Sequence, residues 1–240
     1  TGLLPHSNPG ILSKDELRKL RDVNASMGLM LETTSEELAK TGAHEFSPGK
    51  HPAVRLDTIK FAGELKIPFT TGLLIGIGET IRDRVNSLFA IKELDQKYGH
   101  IQEIIIQNFK PKPNTPMENW PEPSIEEMAK TIAVARLILP NKNIQVPPNL
   151  ASGAIGLFLS SGANDLGGIS PITKDYINPE ASWPTIFELK RRINKLGLQL
   201  KERLPIFPDY IKKGFISNSL KSKILSLIDE NGYVKRTFNA

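Results

Sequence analysis

The stretch Phe69-Thr70-Thr71-Gly72-Leu73-Leu74-Ile75-Gly76, followed at once by Ile77-Gly78-Glu79-Thr80, decides how this chain folds. Its first eight residues are apolar, β-branched or glycine without interruption, and Pro68 opens them. A continuous run, as opposed to an alternating one, is the pattern of a strand covered on both faces, the usual condition in a parallel sheet. Two glycines then break the run. From Thr80 to residue 98, Val85, Leu88, Phe89, Ile91 and Leu94 recur at helical spacing. Strand, glycine turn and helix in that order make one βα unit.

The same alternation continues on either side. Upstream, residues 26–31 form a short apolar run ending at Glu32. Ser35, followed by Glu36 and Glu37, reads as a helix N-cap with acids in the first turn. Residues 51–66 place Val54, Ile59, Phe61, Ala62 and Leu65 on a helical face. Downstream, residues 103–109 read as a strand and 111–123 as a proline-rich loop, and Ser124 caps a helix to Ile138. Residues 143–146 are a short strand stopped by Pro147-Pro148, and 162–166 another. Residues 149–160, 183–196 and 219–228 read as helices, the first weakened by Gly153 and Gly156. Strands alternating with helices predict an α/β fold with a parallel sheet. The alternation suits barrels and doubly wound sheets alike; read as a barrel, it makes a partial (β/α) TIM-type barrel over residues 1–197, with a helical C-terminal extension over 198–240. An eight-stranded barrel usually needs ~250 residues, so about six of its eight strands are expected, one of them ending near residues 2–5.

Composition narrows the function classes. Of 240 residues, 39% are hydrophobic and 24% charged, which suits a folded domain and is too apolar for a disordered chain. There is no cysteine, which excludes disulfides, thiolate zinc sites, a cysteine nucleophile and any iron–sulfur cluster held by this chain's own thiolates. No run reaches the ~18 apolar residues needed to span a bilayer, and no signal segment opens the chain, so a cytoplasmic protein without a membrane partner is expected. The net charge of +5 is unevenly spread. From Trp183 onward twelve Lys and Arg face five Asp and Glu, while the residues before it carry a net charge of −2. These bases sit at helical spacing between Leu and Ile, with no interleaved aromatic platform. They read as a solvated helix face, and no nucleic-acid partner is expected.

Several residues stand where chemistry sits in parallel α/β folds, at the C-terminal ends of strands. Gly76 and Gly78 let backbone approach a flat ligand without an intervening Cβ, and Glu79 follows at a helix N-terminus. The spacing is neither G-x-G-x-x-G nor a P-loop, and by pattern alone the turn is equally a tight strand–helix connection. Glu32 is either a helix-capping group or a hydroxyl-binding carboxylate. Arg55 is a surface ion pair or a carboxylate clamp. Gln107, Asn108, Asn164 and Asp165 either read a polar heterocycle by hydrogen bonds or close turns. The four histidines show no metal-ligand spacing, and no G-x-S-x-G elbow occurs.

Taken together, these segments resemble a known family. Gly2-Leu3-Leu4-Pro5-His6-Ser7-Asn8-Pro9-Gly10, Ser47-Pro48-Gly49-Lys50, Gly76-Ile77-Gly78-Glu79-Thr80, Gly99-His100-Ile101-Gln102-Glu103 and Gln107-Asn108-Phe109-Lys110 carry the resemblance. Gly162-Ala163-Asn164-Asp165-Leu166-Gly167-Gly168 and Asn178-Pro179-Glu180-Ala181-Ser182-Trp183-Pro184 complete it over roughly residues 1–210. They are similar to the small subunit of the deazaflavin (FO) synthases, a radical S-adenosylmethionine family. The Gly-x-Gly-Glu turn alone is widespread among radical S-adenosylmethionine enzymes. The segment Gly99 to Glu103 followed by Gln107-Asn108-Phe109 is much narrower.

The resemblance implies a radical S-adenosylmethionine barrel with two cofactors, S-adenosyl-L-methionine and a 4Fe-4S cluster on a CxxxCxxC loop. It implies a lyase of coenzyme F420 biosynthesis. A 5′-deoxyadenosyl radical takes hydrogen from a tyrosine-derived adduct of a ribityl-aminouracil, and ring closure with loss of ammonia gives FO. A tyrosine-using partner subunit makes the adduct. By this resemblance Gly76, Ile77, Gly78 and Glu79 lie against adenine, Glu32 near the ribose hydroxyls and Arg55 near the ligand's carboxylate. Gln107, Asn108, Asn164 and Asp165 are expected at the mouth for substrate, with Leu74, Ile75, Ile104 and Ile106 as apolar walls. The cysteine loop lies before Thr1, so the chain is expected to be a C-terminal portion, inactive alone. Two other readings remain open: another radical S-adenosylmethionine barrel of the tyrosine-adduct or menaquinone type, and a cluster-free module that binds an adenosyl ligand or a partner.

Overall fold

The computed structural model describes residues 2–151, 153–170 and 172–235. Thr1, Ser152, Pro171 and Arg236, used in the sequence reading, lie outside the described residues. The sheet has five strands: β1 (His6–Ser7), β2 (Ser26–Gly28), β3 (Phe69–Ile75), β4 (Ile101–Asn108) and β5 (Asn143–Gln145). They pair in sequence order, every pair parallel. Asp165 adds one parallel bridge to Gln145, at the place expected for a sixth strand. A doubly wound sheet reverses its strand order at a switch point. This one never reverses, so successive right-handed crossovers lay the helices on one face and the sheet curls as part of a barrel.

The crossover helices are α1 (Lys14–Arg21), α2 (Glu37–Thr41), α3 (Pro52–Glu64), α4 (Ile81–Tyr98), α5 (Ile125–Ile138) and α6 (Ile155–Ser160). Three of them begin with reciprocal capping boxes: Ser13 with Glu16, Thr80 with Asp83, and Ser124 with Glu127. The α1 helix is absent from the sequence reading although Ser13-x-x-Glu16 announces it. Its amphipathic stripe is short, with Leu17 its one buried residue. Ser35 is not a cap: α2 starts from Glu36 in helical backbone with no side-chain cap, and Thr33 Oγ1 instead accepts the Ser35 N–H at 3.1 Å. The helix expected over 149–160 is confined to α6, with turns before it.

Alternation along β3 sorts the side chains. Phe69, Leu73 and Ile75 join Met27, Ile104, Ile106 and Ile144 in one buried cluster with Ile59 and Ala62 of α3, Leu88 and Ile91 of α4, and Ile132 and Ala135 of α5. Thr70, Gly72 and Leu74 point to the opposite, concave side, and parallel register puts Glu103, Ile105 and Gln107 beside them. The apolar walls are therefore Leu74 and Ile105. Ile75, Ile104 and Ile106, expected there, belong to the helix-covered side: Ile75 by alternation with Leu74, and Ile104 and Ile106 because the register shifts between Phe69 and Thr70.

The C-terminal segment runs through α7 (Ile186–Asn194), α8 (Pro208–Lys212) and α9 (Asn218–Leu227). Leu204, Ile206, Phe207, Tyr210, Ile211, Ile224 and Ile228 form a second apolar cluster with Ala25. Pro205 O accepts from Ser26 Oγ and, at 3.2 Å, from Gln102 Nε2, while Tyr210 OH donates to Ile101 O. Ser26 and Ile101 are the first residues of β2 and β4, so this segment covers the strands' N-terminal ends. Among the described residues no helix is long and apolar enough to cross a membrane.

A Cβ added at Gly72 would meet the Ile105 backbone O at 2.1 Å and N at 2.7 Å, whereas one at Gly168 meets nothing within 4 Å. Gly72→Ala is expected to destabilise by about 1–3 kcal/mol, as overpacking against rigid backbone does, while Gly168→Ala stays near wild type. Urea unfolding midpoints measure both, and equal midpoints would disprove the close β3–β4 approach.

Candidate active site

The turn after β3 is built by its own glutamate. Gly76 and Gly78 hold positive φ angles of 95° and 100°, which glycine adopts without penalty. Glu79 folds back so that its carboxylate accepts the Gly76 N–H at 3.0 and 3.1 Å and the Ile77 N–H at 2.8 Å. Arg84, one turn into α4, donates Nε to Glu79 Oε1 at 2.7 Å and completes the carboxylate's shell. Glu79 thus shapes the turn from inside. Trp120, from the proline-rich loop, donates its indole N–H to Gly76 O at 2.9 Å, and Pro123 lies where a Gly76 Cβ would be.

Beside this turn, at the end of the chain segment that continues β2, stands Glu32. It pairs with Leu73, one residue out of the register that Met27 sets with Phe69. The extra residue is taken up by left-handed backbone at Glu32 itself, φ 65°, a conformation that costs an ordinary residue about 1 kcal/mol. Three cationic or polar partners hold the side chain: His44 Nε2 at 2.8 Å, Lys50 Nζ at 2.9 Å and Arg55 Nη1 at 3.1 Å. Burial pushes the Glu32 carboxyl up, but the His44 hydrogen bond and the charges of Lys50 and Arg55 outweigh it and hold the group at about 2. Arg55 also donates Nε to Gly49 O at 3.0 Å and Nη1 to Met30 O, and Nη2 makes none of these contacts. His44 is almost fully buried, and its Nδ1 has no partner.

The other expected residues divide. Gln107 pairs in register with Leu74 and lies half-buried on the concave face. Asn108 pairs with Ile75 and so lies on the helix-covered side. Asn164 and Asp165 are not brought to the mouth. Asn164 Oδ1 accepts the Ile144 N–H at 2.8 Å and Arg136 Nη2 at 3.1 Å, and its Nδ2 donates to Asn143 Oδ1 at 3.2 Å, so it closes the sheet edge. Asp165 sits lower, opposite Gln145, and holds Arg203. His44 and Lys50 were missed by sequence reasoning. The available signal was their place in the long connection after a strand-end acid, next to Pro48 and Gly49.

Because the Glu32 carboxyl falls from an ordinary value of 4.5 to about 2 on folding, it stabilises the fold fully above 4.5 and loses that contribution as pH drops towards 2. The shift corresponds to on the order of 3 kcal/mol. Urea unfolding of wild type and Glu32→Gln is expected to differ most near neutrality and to converge on acidification. A gap independent of pH would remove the ion cluster as its cause.

No family model matches the chain. It is 53% identical over 234 residues to the 7,8-didemethyl-8-hydroxy-5-deazariboflavin synthase of Methanopyrus kandleri, covering 97% of this chain and 70% of that protein. Proteins of the same name from Methanococcus vannielii and Methanocaldococcus jannaschii are 58% and 57% identical, over 94% and 95% of this chain and 64% and 63% of theirs. The chain therefore spans about two-thirds of the length of these curated relatives. Among solved structures, methylornithine synthase (PylB) superposes with a TM-score of 0.65 at 23% identity, over 90% of this chain and 62% of that one. The FeFe-hydrogenase maturase HydG from Carboxydothermus hydrogenoformans gives 0.68 at 16%, over 92% and 58%. Those two likenesses concern the fold alone. Since more than half of its residues are shared with the named synthases along nearly its whole length, the chain belongs to the 7,8-didemethyl-8-hydroxy-5-deazariboflavin synthase family.

Proposed function

We propose that this chain forms the adenosyl- and substrate-binding part of a radical S-adenosylmethionine lyase in coenzyme F420 biosynthesis. The reaction converts 5-amino-5-(4-hydroxybenzyl)-6-(D-ribitylimino)-5,6-dihydrouracil to FO with loss of ammonia. The observation that carries the reading is the ion-held Glu32 next to the glycine turn, in a chain 53–58% identical to the named synthases. A tyrosine-using partner subunit supplies the adduct in this reading, and the reaction belongs to the cytoplasm.

The residues present fit an adenosyl ligand. A Cβ at Gly78 would find only Leu38 and Trp120 side chains, at 3.4 and 3.7 Å, so the turn offers bare backbone between two apolar walls. Glu32, kept ionised, accepts ribose hydroxyls. Arg55 Nη2 is the guanidinium nitrogen left for a carboxylate. The buried unpaired His44 Nδ1 beside Glu32 marks a polar site not satisfied by protein alone. S-adenosylmethionine, when bound, supplies the adenosyl group whose radical form begins the reaction. Gln107 offers an amide to the uracil edge, and Leu74 and Ile105 keep water and stray hydrogen donors off a reactive intermediate. The chain does not fit an iron–sulfur cluster. It has no cysteine, and among the described residues no group of three or more His, Asp or Glu is placed to hold a metal.

Removing the charged acceptor at Glu32 is expected to weaken S-adenosylmethionine binding about tenfold or more in Glu32→Gln, measured by equilibrium dialysis. Unchanged affinity would take Glu32 out of the site. Full-length protein, reconstituted anaerobically with iron and sulfide and given reductant, S-adenosylmethionine and the adduct, is expected to release FO and 5′-deoxyadenosine. Binding of S-adenosylmethionine with no FO formed would favour a cluster-free adenosyl-binding module.

A further inference from the structure

Below the mouth, the concave face carries a charged layer that the roles above leave unused. Thr70 and Glu103 are register partners in it, Gln145 and Asp165 bridge each other two residues further along the same face, and Arg203 reaches it from the C-terminal segment. The Arg203 guanidinium grips Asp165 through Nε to Oδ2 at 2.7 Å and Nη2 to Oδ1 at 2.9 Å, and Nη2 also reaches Glu103 Oε1 at 2.7 Å. Thr70 Oγ1 donates to Glu103 Oε2 at 3.0 Å. The Gln145 amide, with its nitrogen towards Glu103, donates to Oε1 at 2.9 Å and Oε2 at 3.2 Å.

Two carboxylates thus share one guanidinium. Burial raises the Glu103 carboxyl well above the ordinary range, with Arg203 opposing the rise and Asp165 adding to it. Barrel interiors are commonly filled by bulky branched residues, and an ion cluster in their place seldom gains stability over apolar packing. A polar layer here points to a polar ligand. The register shift between Phe69 and Thr70 is what turns Glu103 inward; bulges recur beside active sites, where they re-aim a side chain. The layer is not sealed, with the Arg203 and Asp165 side chains 16% and 13% exposed. Thr70 lies three residues before Leu73, the partner of Glu32, so about 10 Å of strand separates this floor from the rim. That depth suits a ring near the rim with an extended side chain beneath it.

We propose that the floor formed by Glu103 and Asp165, held in place by Arg203, binds the polyhydroxylated side chain of the substrate. This rests on the reading that the substrate is a ribitylated pyrimidine. Asp165 Oδ2 accepts one bond from Arg203 and keeps a second lone pair for a hydroxyl. The Glu103 oxygens are taken by Thr70, Gln145 and Arg203, so Glu103 fixes the guanidinium that presents Asp165 to the hydroxyl. Arg203 is a positioning residue, since it fixes both carboxyl groups without itself meeting the ligand.

The test compares the ribitylated adduct with an analogue whose polyol is replaced by an alkyl chain, in full-length reconstituted enzyme. Wild type is expected to show a KM about tenfold or more lower for the ribitylated form, with little change in kcat. In Asp165→Asn and Glu103→Gln that preference collapses, and the KM for the alkyl analogue stays near wild type. Equal losses for both substrates would make the layer structural and overturn the proposal. The wild-type comparison stands even where a variant fails to fold, and a wild type that consumes both forms with equal KM overturns the proposal alone. A wild type that consumes no ribitylated adduct overturns the enclosing reading as well.

Discussion

Seven consecutive register pairs lock β3 to β4, from Phe69 with Ile101 to Ile75 with Asn108, and the rest of the molecule takes its bearings from them. Parallel pairing forces opposite residues onto the same face. One face thereby receives Phe69, Leu73, Ile75, Ile104 and Ile106, which α3, α4 and α5 cover. The other receives Thr70, Gly72, Leu74, Glu103, Ile105 and Gln107, and becomes the inside of the barrel. A slip of one residue would exchange the two sets, bury Glu103 among leucines and expose isoleucine to the cavity. The single irregularity, between Phe69 and Thr70, sits at the start of the ladder, where it sets which way Glu103 and the β4 residues after it face, and the six pairs above it stay in step.

The rim shows how charge and backbone strain are kept together. Glu32 occupies left-handed backbone that it does not favour, and does so where His44, Lys50 and Arg55 converge on its carboxylate. The ion contacts hold the conformation, and the conformation aims the carboxylate at its partners. Two permanent cations against one carboxylate leave the cluster with surplus positive charge, which favours an anionic group nearby. On the adjacent strand Glu79 plays a different part with the same chemistry. Its oxygens are filled by Gly76 and Ile77 amides and by Arg84, so it is a buried brace.

Much of this was legible in the sequence, and what was not has physical causes. The run from Phe69 to Ile75 and the amphipathic α4 announce themselves because both are long and strongly patterned. Thr80 and Ser124 were readable as helix starts from local chemistry alone, and the family from the order of short motifs. The α1 helix escaped because eight residues with one buried leucine carry little periodicity. Asn164 and Asp165 were placed at the mouth because a strand was expected to carry them there. In fact a single bridge opposite Gln145 sets their height, and no local pattern reveals that. Likewise nothing near Arg203 in the chain foretells Glu103, a hundred residues away. Glu32 and the glycine turn were found because strand ends are recognisable; Glu103 and Arg203 were missed because their neighbours come from distant segments.

The link between Arg203 and Glu103 also bears on how the molecule assembles. Contacts so far apart along the chain form late, since closing the intervening loop costs entropy before any bond repays it. During synthesis the strands emerge and pair well before the segment carrying Arg203 has left the ribosome. Until it docks, Glu103 and Asp165 face each other without their counter-ion across a half-made floor. Ordering of the cavity is thus tied to docking of that segment, and a polypeptide ending before Arg203 lacks the cation that Glu103 and Asp165 share.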